Sequence, residues 1–222
     1  MTQLALRPLG GPWFKNLIGA GLVRLSQRPR KIRADRGCVD RRVPPPQGQE
    51  PLYNDSFVFQ GSSADGVLVM TRLGLRGAGD EAEAWLWMEL DGRKLVIPRA
   101  ELPSEGRNEL AAGGLRFSHD GAREAGRWRV RYAGPLSLGG DETAACELDL
   151  EYRPTTASYL SSEHMDPMAT GKAMAEMPWS RAYFRRLRSE RQVRMEQGGV
   201  LSGSISIDGE ARAVTLSAIR DH

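Results

Sequence analysis

The side chains that most often carry chemistry are sparse in this chain and poorly grouped. His119, His164 and His222 are its three histidines, and no two sit at the helical spacing that would put a pair of imidazoles on one metal ion. Cys38 and Cys146 are its two cysteines, in no metal-type spacing. Neither a zinc site nor a disulfide framework is expected, and a reducing compartment is the default. The chain has no Gly-x-Ser-x-Gly elbow for a serine nucleophile. Ala169-Thr170-Gly171-Lys172-Ala173 looks like the end of a phosphate-binding loop. However, Asp166 stands where the upstream glycine belongs, and Ala173 where a Ser or Thr would hold magnesium. Gly74-Leu75-Arg76-Gly77-Ala78-Gly79 reads as a turn between strands, without the βαβ unit a dinucleotide needs. Glu81 and Glu83, like Asp149 and Glu151, alternate with apolar residues. That is the wet face of a sheet; inside a lumen such a pair would do acid–base work. No metal and no cofactor is expected, and the chain as it stands is read as non-catalytic.

The remaining candidates are aromatic. Trp85 and Trp87 lie two apart and so point to one side of a strand. With Trp128 and Tyr132 they are the candidate ligand-binding residues. The competing reading is plain core packing, which large aromatic side chains favour.

These residues sit on short β-rich runs separated by turn signals. Phe57-Val58-Phe59 is followed by Asp65-Gly66, Glu83–Leu90 by Asp91-Gly92, and Val200–Ile207 by Asp208-Gly209, and Asp-Gly is a strong hairpin signal. Further strands are expected over 94–97, 115–118, 127–132, 145–152, 191–196 and 211–219. Arg127–Tyr132 and Cys146–Tyr152 alternate cleanly, so one face is packed and the other wet. The fold class is mostly β: an antiparallel lipocalin-like barrel or sandwich, with a short helical insertion near 166–188. Pro178 fits the first turn of a helix over Trp179–Arg188 within that insertion.

Charge divides the chain. Residues 1–42 hold ten Lys/Arg against Asp35 and Asp40, a surplus larger than the whole chain's +3, so the β body is mildly acidic. A nucleic-acid-binding surface on the body is therefore not expected. Residues 1–50 read as a basic arm ending in the stiff Pro44-Pro45-Pro46 linker, and 51–222 as the β domain. Trp13–Leu25 is a moderately amphipathic, acid-free segment followed by Arg28-Pro29-Arg30-Lys31. Three readings stand: a helix docked on the β body, a weak membrane-surface contact through residues 12–33, or a mitochondrial presequence. No stretch approaches eighteen consecutive apolar residues. The expected location is cytoplasmic, with mitochondrial or membrane association as the alternative.

Several stretches form a familiar series. Tyr53–Gly61 with Asp65-Gly66, then Glu83-Ala84-Trp85-Leu86-Trp87, Pro178-Trp179-Ser180, Phe184-Arg185-Arg186-Leu187, Gln192, Gln197-Gly198-Gly199 and Ile219-Arg220-Asp221-His222 occur in this order. Together they resemble the β region preceding the catalytic part of animal phosphoenolpyruvate synthase-like (putative phosphotransferase) proteins. That region is in turn similar to the lipocalin-like double barrels of the carotenoid hydratase and tocopherol cyclase type. The resemblance covers about 53–222. It implies that Asp221 and His222 match an Asp-His pair at the family's cavity, where the histidine is implicated in acid catalysis on an alkene. It also implies that residues 51–222 are the first half of a double barrel, with an exposed sheet edge open to a protein partner.

The expected function is a β-barrel-like module that binds a hydrophobic small molecule or a protein partner. The alternative is a fragment or isoform of a hydratase/isomerase-like or phosphotransferase-like protein, with Asp221 and His222 completed by residues outside this chain.

Overall fold

The computed structural model describes residues 12–29, 40, 53–76, 81–97, 101–103, 110–120, 126–189 and 192–222. The chain divides into two compact units. One takes Met1–Gly37 and Leu160–Arg194; the other takes Cys38–Tyr159 and Met195–His222.

The larger unit is a closed antiparallel β-barrel. Its strands are β1 (Asn54–Ser62), β2 (Leu68–Arg76), β3 (Glu81–Leu90), β4 (Arg93–Val96), β5 (Glu101–Pro103), β6 (Leu110–Ala112), β7 (Leu115–His119), β8 (Trp128–Gly139), β9 (Glu142–Pro154), β11 (Met195–Ile207) and β12 (Glu210–Asp221), with the short β10 (Tyr159–Leu160) at the boundary between the units. Eight of them form the ring, in the order β1-β2-β3-β4-β8-β9-β11-β12 and back to β1. The free edge expected of a half barrel is absent from this ring, because each ring strand has two neighbours and a closed sheet has no edge. β8 is long enough to pair along one edge with β7 over Trp128–Tyr132 and with β4 at Ser137, while β9 pairs with its other edge and with β11.

Turn chemistry follows the sequence. Asp91-Gly92 and Asp208-Gly209 have positive φ at both residues (52° and 73°; 51° and 88°), the type I′ geometry that matches strand twist. One boundary differs from expectation. The segments 191–196 and 200–207 are not two strands, because β11 runs unbroken through Gln197-Gly198-Gly199. Gly199 lets it do so: a Cβ there would lie 2.5 Å from the Arg153 carbonyl oxygen and 2.6 Å from the Tyr152 ring.

The barrel interior is filled by side chains. Phe59 meets Phe117, Trp128 and Tyr152 at ring-centroid distances of 5.0, 5.6 and 5.5 Å, and Phe57 meets Trp128 at 5.5 Å. Leu73, Leu86, Met88, Leu95, Leu136, Leu148 and Leu150 complete a core that excludes water almost entirely. Each such side chain is worth roughly 1.5–3 kcal/mol of burial, so this cluster dominates the unit's stability.

The smaller unit is helical. It contains α1 (Pro12–Ser26), α2 (Ser161–His164), α3 (Pro167–Glu176) and α4 (Arg181–Ser189). Asp166 caps α3 by accepting from the Ala169 N–H at 2.6 Å, with Pro167 in the first turn. Pro178 does not open the next helix. It lies in the link before α4, where Ser180 Oγ accepts from the Tyr183 N–H at 3.0 Å and serves as the cap. α1 packs on α3 at a glycine crossing: a Cβ on Gly171 would sit 2.5 Å from the Ala20 nitrogen, and one on Gly19 2.9 Å from the Gly171 Cα. Gly171, which resembles a phosphate-loop glycine in sequence, is therefore a helix-packing residue. Gln27 adds hydrogen bonds from Nε2 to the Glu163 and Met165 carbonyls at 3.2 and 2.7 Å. The Pro44–Pro46 linker, Arg30–Arg33 and Cys38 lie outside the described residues.

Candidate site at one end of the barrel

Antiparallel register brings the charged interior residues Asp55 and Arg220 to one end. β1 pairs with β12 so that Phe59 faces Arg220 and Val58 faces Asp221. One further step sets Phe57 opposite His222, and their rings stack with centroids 3.8 Å apart. Asp55, two residues before Phe57, lies on the same face of its strand. Its Oδ1 meets His222 Nε2 at 2.6 Å, with both side chains nearly buried. The start of β11 reaches the same end, since the Met195 N–H donates to the His222 carbonyl and the His222 N–H to the Met195 carbonyl, at 2.6 and 2.9 Å.

Arg220 is a second buried charged residue there. Its side chain is only 4% exposed. It ion-pairs with Asp40 at 2.5 Å, lies 3.8 Å from Met195 Sδ, and places its guanidinium 5.0 Å from the centroid of the Trp128 ring. A buried guanidinium needs this degree of pairing, because removing a charge from water costs several kcal/mol. Trp128 also meets His119, with centroids 4.7 Å apart. Its own indole Nε1–H is buried with no acceptor among the described residues. Tyr152 Oη donates to the Gln197 carbonyl at 2.7 Å, and burial pushes the phenol up to about 12 against the opposing pull of Arg220.

The candidate ligand residues divide between the two faces. Trp128 and Tyr132 are interior and buried; Tyr132 Oη donates to the Pro135 carbonyl at 2.6 Å, and burial pushes its pKa up to about 12. Trp85 and Trp87 point outward, so neither the core reading nor the interior cavity reading places them correctly. On β3 the interior is taken by Ala82, Ala84, Leu86, Met88 and Leu90, and Trp85 is 41% exposed. Outside, Trp85 carries the Arg72 guanidinium 4.7 Å from its centroid, and Arg72 in turn binds Glu83 at 2.6 Å and Asn54 at 3.1 Å. Glu83 is thus an ion-pair partner on the outer face. Asp149 is likewise outside, in a bidentate pair with Arg129 that holds its carboxyl below the usual range.

Of the Asp221–His222 pair, His222 is at the site, but the carboxylate set against its ring is Asp55. Neighbouring residues on an extended strand face opposite ways, which turns Asp221 away from the side His222 shares with Arg220. Sequence reasoning missed Asp55, Arg220 and Asp40. The signal for two of them was present, since Asp55 and Arg220 occupy the apolar phase of otherwise alternating strands. Cys146 is interior, and burial pushes its thiol up to about 12, which keeps it protonated and inert at neutral pH. Among the described residues no three His, Cys, Asp or Glu side chains come together as a metal site.

Residues 39–222 match the family model described as Domain of unknown function (DUF7064). The chain belongs to the DUF7064 family. In this DUF7064 chain the matched region takes in every barrel strand and the charged cluster at the barrel end. No curated protein matches the chain, and no solved structure does. The family description assigns no activity, so the phosphoenolpyruvate synthase-like resemblance rests on the sequence motifs alone.

Proposed function

We propose that this barrel is a binding module for an apolar small molecule with an oxygen-bearing end, held where Asp55, Trp128, Arg220 and His222 converge. The observation that carries this reading is the buried Trp128 Nε1–H, which lacks an acceptor among the described residues and belongs to a ring overlaid by the Arg220 guanidinium. Leaving such a donor unmade costs about 1–3 kcal/mol, a cost that a ligand carbonyl or carboxylate oxygen would remove. Because aromatic rings fill the interior, the apolar part of the ligand would sit at the barrel end or displace Phe57. Titration with oleate and with retinol, followed by tryptophan fluorescence, tests this. Saturable binding that is lost in Trp128→Phe supports the module; no saturable binding by the folded protein refutes it.

The Asp55–His222 hydrogen bond supports a second reading, an acid–base role in a hydratase/isomerase-like reaction on an alkene. Asp55 fixes the imidazole plane through Nε2, while Phe57 stacks on the ring. Turnover of a polyene substrate that disappears in His222→Gln, with binding retained, would favour this reading over the module.

A further inference from the structure

α1 is inside out by the usual rule. Its buried side carries the smaller residues Gly19, Ala20 and Val23, and Gly19 and Ala20 meet α3 at Gly171. Its large apolar residues Trp13, Phe14, Leu17, Ile18, Leu22 and Leu25 are all exposed, Trp13 by 68% and Leu25 by 55%. At 100° per residue these six fall within one half of the helix circumference, with Arg24 among them near one margin and Lys15 just beyond the other. A contiguous apolar face of this kind marks a surface that something covers.

Charge identifies what covers it. α1 holds no acidic residue. Over the described residues of the helical unit, nine Lys/Arg stand against Glu163, Asp166 and Glu176. Lys15 Nζ lies 5.8 Å from the Trp179 ring centroid, which joins the α1 margin to a second feature. That feature is an open groove of about 670 Å³ lined by Trp179, Ser180, Arg181, Phe184, Arg185 and Arg188. It too combines aromatic rings with arginines and contains no carboxylate. An apolar helix face with basic margins beside an aromatic–arginine groove is the layout of a helix that lies in a membrane interface, its rings at headgroup depth and its cations on lipid phosphates. Among the described residues no helix is long and apolar enough to cross a bilayer.

We infer that α1 and the α4 groove together form a docking surface for an anionic lipid bilayer. This is independent of the barrel-end reading and shares no residue with it.

The test uses the full chain and vesicles of phosphatidylcholine alone or with 30 mol% phosphatidylglycerol, read by co-sedimentation. The expected result is binding to the anionic vesicles that is at least about tenfold stronger than to the neutral ones and weakens with salt, as screening requires. Leu17→Glu with Leu22→Glu should abolish it, and Arg181→Glu with Arg185→Glu should weaken it about tenfold or more. Both pairs lie on exposed surface, and circular dichroism checks that the fold is kept. If the apolar pair fails to fold, quenching of wild-type tryptophan fluorescence by brominated lipid, reduced in Trp13→Phe, decides the same point. Absence of binding to anionic vesicles overturns the proposal. So does concentration-dependent self-association that Leu17→Glu with Leu22→Glu removes, since the face would then be covered by a second copy.

Discussion

His222 Nε2 lies 2.6 Å from Asp55 Oδ1, although the two residues are 167 apart in sequence. β1 and β12 bring them together, and these strands also help to close the ring. Any change to this pair therefore acts on barrel closure as well as on the candidate site.

His222→Ala should destabilise the barrel by about 3 kcal/mol, because it leaves the buried Asp55 carboxylate without this partner. His222→Phe keeps the ring stacked on Phe57 but removes the hydrogen bond, and should recover only part of the loss. Replacing both residues by leucine should cost less than the two single changes together. Urea unfolding measures each of these variants. An effect of His222→Ala no larger than that of the exposed Thr215→Ala would show that the pair contributes nothing.

Arg220 and Asp40 should respond unequally. The Arg220 side chain is 4% exposed and the Asp40 side chain 18%, so the guanidinium bears the greater cost of isolation. Asp40→Asn should cost about 1 kcal/mol and Arg220→Ala about 3 kcal/mol. Arg220→Lys should rescue little, since a point charge does not reproduce a planar group lying over the Trp128 ring. The emission of Trp128 provides a second readout, changing in both Arg220 variants and little in Asp40→Asn.

Alkaline pH should unfold the barrel early. Tyr132, Tyr152 and Cys146 are each pushed up to about 12 by burial. In the unfolded chain they titrate near 10, 10 and 9. Above those values the unfolded state loses protons that the folded state retains, so stability is complete below about pH 9 and falls as pH rises toward 12. The urea midpoint should drop between pH 8 and pH 10.5, and Tyr152→Phe should flatten the drop. A midpoint constant across that range would contradict the assignment. A thiol reagent at pH 8 should leave Cys146 unmodified until the protein unfolds.

The β architecture was legible in the sequence because its signals are local. Asp91-Gly92 and Asp208-Gly209 form the turns their chemistry predicts, and alternation over Cys146–Tyr152 matches the inward and outward phases of β9. The phase of β3 is ambiguous in the sequence because both of its faces carry apolar residues. Glu83 and Glu89 share the odd phase with Trp85 and Trp87 and mark it as the outer one. Ring closure was not legible, because it depends on which strands pair: β9 with β11 and β1 with β12 are contacts between distant segments. The Asp55–His222 pair was hidden for the same reason. A chain-adjacent Asp-His motif drew attention to Asp221, whereas strand geometry points neighbours apart.

The glycine crossing in the helical unit gives a prediction in which two effects compete. Gly171→Ala should stabilise an isolated helix by about 1 kcal/mol through propensity. At this position the added methyl would lie 2.5 Å from the Ala20 nitrogen and 2.6 Å from the Asn16 carbonyl oxygen, both of them backbone atoms that cannot swing aside. Separating two packed helices to relieve that contact costs about 1–3 kcal/mol, as overpacking does elsewhere. The clash should therefore win. Gly171→Ala is expected to loosen α1 from α3 and expose the α1 segment to protease, with the barrel's own unfolding midpoint unchanged. Gly21→Ala, where nothing lies within 4 Å of the added methyl, should do the reverse and raise helicity slightly. Limited proteolysis read by mass spectrometry separates the two variants. Equal cleavage of Gly171→Ala and wild type would mean that α1 and α3 do not cross at these glycines.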